Sequence, residues 1–503
     1  MKKVQSIIIL GGGTSGWLTA AYLTKNLTIP VKITLIEDTS IGTIGVGEGT
    51  QPFTTKFLYN CGIPPKDWMK LADASFKLGV EMVGWVDEDY FVDNDANYNV
   101  MISSDLYTSD YFLNKTNKEL NSWHPAYRLA KANKSPKWSE HHDANLGSDQ
   151  ENFGAVHFSA HGIVETIKEL IADRITYIDT RIDRAVQNEN GINKLIAKDG
   201  TEYSADLFVD CTGFASVLIE KELKSPWTDY SEYLPVDRAV VIQTQYKDPE
   251  TECHPYTKAT TMNAGWRFTI PIRSRIGNGY VYSSKYITDE EAEKEFRTAI
   301  GEWDSPAKVI RLKSGTHKEI SRKNVIAVGL SAGFIEPLEA TAITFTTHAV
   351  TIMCNLLNDN LMLWNDKCRN TINYIFGEAV NEIMAFVWCH YHFSTRNDTQ
   401  FWQDIHKQQA INLPPEAQKF LKYFLPRPGK FLYVGPGSMF NVFQWFRVIH
   451  AGGGYKGQDL NLSEDEQKYC EYALDAISAR VDLAKERFMN HYKYLEKWYA
   501  ERS

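Results

Sequence analysis

The 503-residue chain has no unbroken apolar run of the roughly 18 residues that a membrane-crossing helix requires, which argues against a transmembrane protein. The apolar start SIIIL runs directly into GGGTSG with no small-residue cleavage site, so it reads as a buried first strand and not a secretory leader. Cysteine pairs are missing as well. Cys61, Cys211, Cys253, Cys354, Cys368, Cys389 and Cys470 stand singly, without a CxxC, which excludes a disulfide framework and points to reduced thiols in a cytoplasm. No block of Lys and Arg offsets the net charge of −9, so the phosphate backbone of a nucleic acid would be repelled. Histidines also lack ligand spacing. His390 and His392 are two apart, His141 and His142 adjacent, and neither pair has a nearby third ligand, so no metal site is expected. Internal repeats and low-complexity segments are absent too.

What remains is a globular composition, 43% apolar and 23% charged, over a length that suggests two or three structural units or one large domain with insertions. Residues 4–10 (VQSIIIL) predict a strand, 14–27 a helix through Leu18, Ala21 and Leu23, and 31–37 (VKITLIE) a second strand, together a βαβ unit. From 174 to 213 short alternating strands predict an antiparallel sheet, with Asp199-Gly200 as a positive-φ turn. Further strand signals cover 236–246, 266–273, 278–286 and 324–329, and after Glu339 the pattern is helical almost to the end. The last helix is expected to open at the capping box Ser463-x-x-Glu466 and to carry an apolar stripe through Ile477, Val481, Phe488, Tyr492 and Leu495. Residues 86–150, rich in Asn, Asp, Ser and Tyr, read as an insertion or lid.

Between the first strand and helix stands Gly11-x-Gly13-x-x-Gly16. Its glycines serve, in order, the turn, the approach of backbone to a pyrophosphate, and helix–strand packing. Thr14 and Ser15 open the helix, whose N-terminus faces the phosphates, and Glu37 ends the second strand where it can accept from a ribose. Three more glycine-rich segments at strand ends, IGVGEGT at 44–50, FVDCTGF at 208–214 and VIAVGLSAGF at 325–334, favour FAD over NAD. No second fingerprint stands between a predicted strand and a predicted helix, so the chain is expected to lack a nicotinamide domain of its own and to take its electrons from outside.

GGGTSGW, GVGE at 45–48, DASFKLG around Lys77, LPVDRA at 234–239, GWRFTIP at 265–271, GLSAGFIEPLEAT at 329–341, and HYH at 390–392 followed by FW resemble the flavin-dependent tryptophan halogenase family over roughly residues 1–455. The resemblance implies an α/β fold: a Rossmann-like, box-shaped FAD module with an antiparallel sheet, fused to a mainly helical, pyramid-like substrate region. The module would take 1–85 and 151–345, the insertion or lid 86–150, and the helical region 346–503. It implies FAD supplied as FADH2 by a separate flavin reductase, O2, a halide ion and a small aromatic substrate, with a tunnel between flavin and substrate. It further implies flavin contacts at Gly47, Glu48, Val186, Gly213, Leu330 and Ile343.

Lys77 matches the family's catalytic lysine, which makes hypohalous acid electrophilic by hydrogen bonding or as a haloamine. Glu339 matches the catalytic glutamate, with Glu336 the competing assignment. The halide would sit on backbone amides at Thr341 and Ala342. The family has Ser-Thr-Gly where this chain has Ala340-Thr341-Ala342, so bromide or iodide is expected over chloride, the replaced glycine having supplied conformational freedom. Trp266, Phe268, Ile270 and Pro271 match a Trp-x-Trp-x-Ile-Pro barrier between flavin and substrate, with one tryptophan replaced by phenylalanine. Aromatics of 420–446, including Tyr423, Phe431, Tyr433, Phe440, Phe443, Trp445 and Phe446, stack on substrate or serve the core, core being favoured for each. No Tyr-Tyr pair occurs, unlike in family members that use free tryptophan, which turns the expectation toward another electron-rich ring such as an indole or phenol. Two alternatives stay open, a flavin-dependent aromatic monooxygenase and a non-catalytic flavoprotein scaffold. The sequence leaves the oligomeric state open, a homo-oligomer included.

Overall fold

The apolar run Ile7–Leu10 is buried because its strand, Ser6–Leu10, lies inside a six-stranded sheet, where parallel pairing covers both faces. The strand order is Ser321–Arg322, Val325–Ala327, Leu207–Asp210, Ser6–Leu10, Lys32–Glu37, Thr176–Asp179, parallel except for the first pair. The computed structural model describes residues 3–42, 45, 47–94, 112–134, 154–425, 438–458 and 462–501. Helix Thr14–Asn26 follows the glycine turn and packs against helices Ala160–Ile171 and Ala342–Asp359.

A second, seven-stranded sheet runs Lys308–Arg311, Arg238–Thr244, Ile276–Tyr282, Gly265–Pro271, Thr257–Met262, Gly79–Val83, Tyr90–Asp93. It is antiparallel except where Thr257–Met262 meets Gly79–Val83. A small sheet of Glu48–Gly49, Ala155–Phe158 and Ser75–Lys77 closes one end of the space beside it. Residues 86–94 and 112–134 of the expected lid include the edge strand Tyr90–Asp93 and helices Asn117–Trp123 and Pro125–Lys131. The rest of that segment, with His141 and His142, lies outside the described residues, as do Phe431 and Tyr433.

Two expectations change. The antiparallel sheet over 174–213 consists of Ile182–Asn188, Gly191–Ala197 and Glu202–Tyr203, turning at Gly200 with φ +87°. Its flanking strands Thr176–Asp179 and Leu207–Asp210 instead join the parallel sheet, because pairing partners distant in sequence decide their direction. The single last helix is two, Glu464–Arg487 and His491–Glu501. Asn490 Oδ1 accepts from the amides of Tyr492 and Lys493, a side-chain cap that starts a new helix and breaks the stripe. The final helix returns to the first half of the chain. Tyr499 Oη donates to the carbonyls of Ala74 (2.6 Å) and Met69 (3.1 Å), and the His491 ring receives the Phe76 amide at 3.3 Å.

One described helical segment, Leu338–Asp359, is apolar and long enough to cross a bilayer. Its buried positions from Ile343 to Leu357 are instead packed on helices Thr14–Asn26 and Asp366–His392. All seven cysteines are free and buried.

Candidate active site

The glycine turn has the shape its sequence calls for. Gly11 has φ +115°, and a Cβ there would lie 2.3 Å from the Cys211 carbonyl oxygen. A Cβ on Gly16 would meet the Gly11 oxygen at 1.9 Å, whereas one on Gly13 meets nothing within 4 Å. Open space therefore lies where Gly13 caps helix Thr14–Asn26, and its free first-turn amides fit a pyrophosphate. Ser15 is hydrogen-bonded to Thr346 (2.8 Å), and a Cβ on Gly329 would lie 2.1 Å from Ser15 Oγ, so the segment 325–334 reaches the start of the helix. Ser331 Oγ donates to the Gly213 carbonyl at 3.1 Å, so both glycine-rich segments meet there. Glu37 is buried at the strand end, where it accepts from Tyr177 Oη (2.7 Å) and pairs with Lys168 (3.3 Å). Val186 lies on the separate hairpin sheet and does not line the cavity described next.

Between the small sheet and the seven-stranded sheet lies a cavity of about 180 Å³. Gly47, Glu48, Leu330 and Ile343 line it, together with Phe214 and Phe334. Strand periodicity puts Trp266, Phe268 and Ile270 on one face of Gly265–Pro271, and all three form its wall. Pro271 falls on the opposite face and does not line the cavity; its carbonyl accepts from Ser75 Oγ (2.5 Å). The apolar wall pushes the Glu48 carboxyl up to about 7, although the side chain still reaches open space inside the cavity.

Lys77 ends the strand Ser75–Lys77 and is 1% exposed, its ammonium donating to the Thr50 carbonyl at 3.0 Å. Burial lowers it to about 8, and the charge of Glu339 opposes that shift. A Cβ on Gly49 would stand 3.5 Å from Lys77 Nζ and 3.3 Å from Ala340 Cβ, so Gly49, Lys77 and Ala340 share one corner of the cavity.

Glu339 and Ala340 are consecutive left-handed residues, φ +64° and +54°, a strained turn that costs roughly 1–3 kcal/mol per residue. Gln51 Nε2 holds this turn by donating to the Glu339 carbonyl (2.9 Å), and Asn94 Nδ2 donates to Gln51 Oε1 (3.0 Å). The Glu339 carboxylate is 2% exposed, lines the cavity and has His390 Nε2 at 3.3 Å. The competing Glu336 does not line the cavity. Trp266 Nε1 (3.2 Å) and Tyr391 Oη (3.0 Å) donate to it, and burial pushes it up to about 8. Thr341 and Ala342 line the cavity where helix Ala342–Asp359 begins. Positive φ occurs at Glu339 and Ala340 but not at Ala342, which lies in the helix, so the backbone strain of this segment sits at 339 and 340.

Sequence reasoning missed Gln51, Asn94 and Tyr90, which carry no motif, and gave His390 no role beyond a rejected metal ligand and a place in the family-like HYH. Among the described residues no group of three His, Cys, Asp or Glu could hold a metal. Phe440 and Trp445 are core, stacked on Phe386 and on Phe420 and Phe424, while Tyr423 is exposed.

A family model described as tryptophan halogenase matches residues 6–463. The chain belongs to the tryptophan halogenase family. It is 32% identical to the 7-chloro-L-tryptophan 6-halogenase KtzR of Kutzneria sp. (strain 744), covering 98% of this chain and 99% of that one. It is 31% identical to the tryptophan 7-halogenase RebH of Lentzea aerocolonigenes, covering 80% and 78%. Among solved structures, a flavin-dependent halogenase from Xanthomonas campestris superposes with a TM-score of 0.86 at 25% identity, over 99% of both chains. The halogenase is thus a flavin-dependent enzyme, and its family implies FAD, O2, a halide, an aromatic substrate and a separate flavin reductase.

Proposed function

We propose that this halogenase installs halogen on an electron-rich aromatic, such as an indole or phenol, through hypohalous acid activated at Lys77. The observation that carries the reading is the buried Lys77 ammonium and Glu339 carboxylate on one cavity walled by Trp266, Phe268 and Ile270. Reduced FAD bound at the Gly11–Gly16 turn would, with O2 and halide, supply the hypohalous acid.

Everything else falls to the chain's own side chains. The wall keeps an aromatic substrate from the flavin and favours halogen transfer over direct hydroxylation. Lys77 donates to the hypohalous oxygen and makes the halogen electrophilic; in so dry a corner one charge-assisted hydrogen bond acts strongly. Glu339 stabilises the cationic ring and takes its proton. Thr341 and Ala342 present backbone amides to the halide, and without the family's serine hydroxyl the site serves bromide or iodide better than the more strongly hydrated chloride. We keep the division into a flavin module (1–85 and 151–345), a lid (86–150) and a helical substrate region (346–503) as part of this proposal.

The test is Lys77→Ala. The variant is expected to bind FAD as wild type does and to consume reduced flavin, yet to halogenate about 100- to 1000-fold more slowly. Product formed at the wild-type rate, read by mass spectrometry across a panel of aromatics, would remove Lys77 from the mechanism.

A further inference from the structure

Glu339 is buried with both carboxylate oxygens accepting no hydrogen bond among the described residues, an arrangement that is costly unless something else orients the charge. The nearest positive-capable group is His390, on helix Asp366–His392, whose Nε2 lies 3.3 Å from Glu339 Oε1 but is not aligned as a hydrogen bond. On the other side of the same ring, Nδ1 lies 2.9 Å from Tyr90 Oη. Phe386 meets the imidazole edge-on at 5.1 Å, Trp85 does so at 6.1 Å and Tyr90 stacks at 6.3 Å, so the ring has little freedom to turn.

We propose that His390 is a positioning residue for Glu339. Tyr90 donates its hydroxyl proton to Nδ1, which fixes the tautomer with the proton on Nε2, and that N–H holds Oε1 so that Oε2 is presented to the ring carbon under attack. The opposite tautomer would aim a nitrogen lone pair at an anionic oxygen, so the Tyr90 contact has electrostatic content beyond packing. Among the described residues that line the cavity, Lys77 is the one lysine or arginine. Glu336, three residues away, is occupied by Trp266 and Tyr391.

The proposal rests on the halogenase reading above. As the ring carbon bonds to halogen, the oxygen–halogen bond breaks and the oxygen leaves as water with a proton from Lys77. The ring C–H bond then breaks, its electron pair restores the aromatic ring, and its proton passes to Glu339 Oε2. Lys77 ends one proton short and Glu339 one proton over, and exchange of that proton resets the pair. A catalytic hydrogen bond that is long in the free enzyme and tightens with substrate suits the 3.3 Å contact.

Two measurements test it on the full chain. In a long-range proton–nitrogen-15 correlation spectrum of enzyme carrying labelled histidine, the His390 signals, assigned by their loss in His390→Gln, are expected to show the proton on Nε2. A proton on Nδ1 overturns the proposal whether or not the enzyme halogenates. The second uses indole and ring-deuterated indole with reduced FAD, O2 and bromide. Wild type is expected to show no primary isotope effect. His390→Leu is expected to lower kcat about 10- to 100-fold with FAD affinity unchanged, and to reveal a primary isotope effect because proton removal has become slow. His390→Gln, which keeps an N–H near the same place, is expected to recover most of the rate. An undiminished rate in His390→Leu, or a loss without an isotope effect that Gln does not repair, overturns the role. Absence of brominated indole from wild type would instead overturn the assignment of indole as a substrate, leaving the tautomer result to decide the geometry.

Discussion

Lys77 carries a pH dependence whose sign follows from its burial. The lysine falls to about 8 because the low-dielectric corner disfavours its ammonium, with Glu339 opposing. The ammonium, unlike the neutral amine, carries a charge and is acidic enough to pass a proton to the leaving oxygen, so activity is expected to hold below about 8 and to fall roughly tenfold per pH unit above it. Product formation at saturating reduced FAD, measured across that range, checks this; a rate still climbing well above pH 8 would contradict the ammonium role. The same residue-level view separates the two glutamates. They stand three apart in the chain, yet Glu336 accepts from Trp266 and Tyr391 while Glu339 is turned into the cavity by its positive φ.

At the level of elements, the start of helix Ala342–Asp359 is where the proposed halide site lies. The left-handed pair Glu339–Ala340 bends the chain so that Thr341 and the first helical residues line the cavity, and early helical amides lack intrahelical partners. Ala340, with φ +54°, carries strain there and has no hydroxyl to offer an anion. The wild-type enzyme is expected to incorporate bromide well ahead of chloride in competition at equal concentration. Ala340→Ser combined with Ala342→Gly is expected to raise the chlorinated fraction. Since Ala342 is helical, most of that gain should come from Ala340→Ser, which the two single variants resolve; equal use of chloride and bromide by wild type would refute the halide argument.

At the scale of the whole molecule the question is where the electrons come from. Among the described residues only the Gly11–Gly16 turn joins a parallel strand to a helix in the fingerprint pattern, so purified enzyme with FAD and NADH alone is expected to turn over negligibly. Adding any flavin reductase is expected to restore halogenation, and rapid flavin reduction by NADH without one would refute this. The final helix also acts at this scale. Placed by sequence in the distant substrate region, it packs against the strand of Lys77 and the residues before it through His491 and Tyr499, so the C-terminal segment helps to place that strand.

The sequence by itself determined the first βαβ unit, the glycine turn, the alternating face of Trp266, Phe268 and Ile270, and the nomination of Lys77 and Glu339. Each of these depends on local periodicity, on a turn that only glycine tolerates, or on a motif read in order. Tertiary structure alone decided the direction of the strands Thr176–Asp179 and Leu207–Asp210, the different surroundings of Glu336 and Glu339, and the meeting of Tyr90, His390 and Glu339 across some 300 positions. The reason is physical: a strand's direction comes from whichever distant segment pairs with it. Likewise, the chemistry of a buried carboxylate is set by the donors and solvent around it, which sequence spacing does not encode.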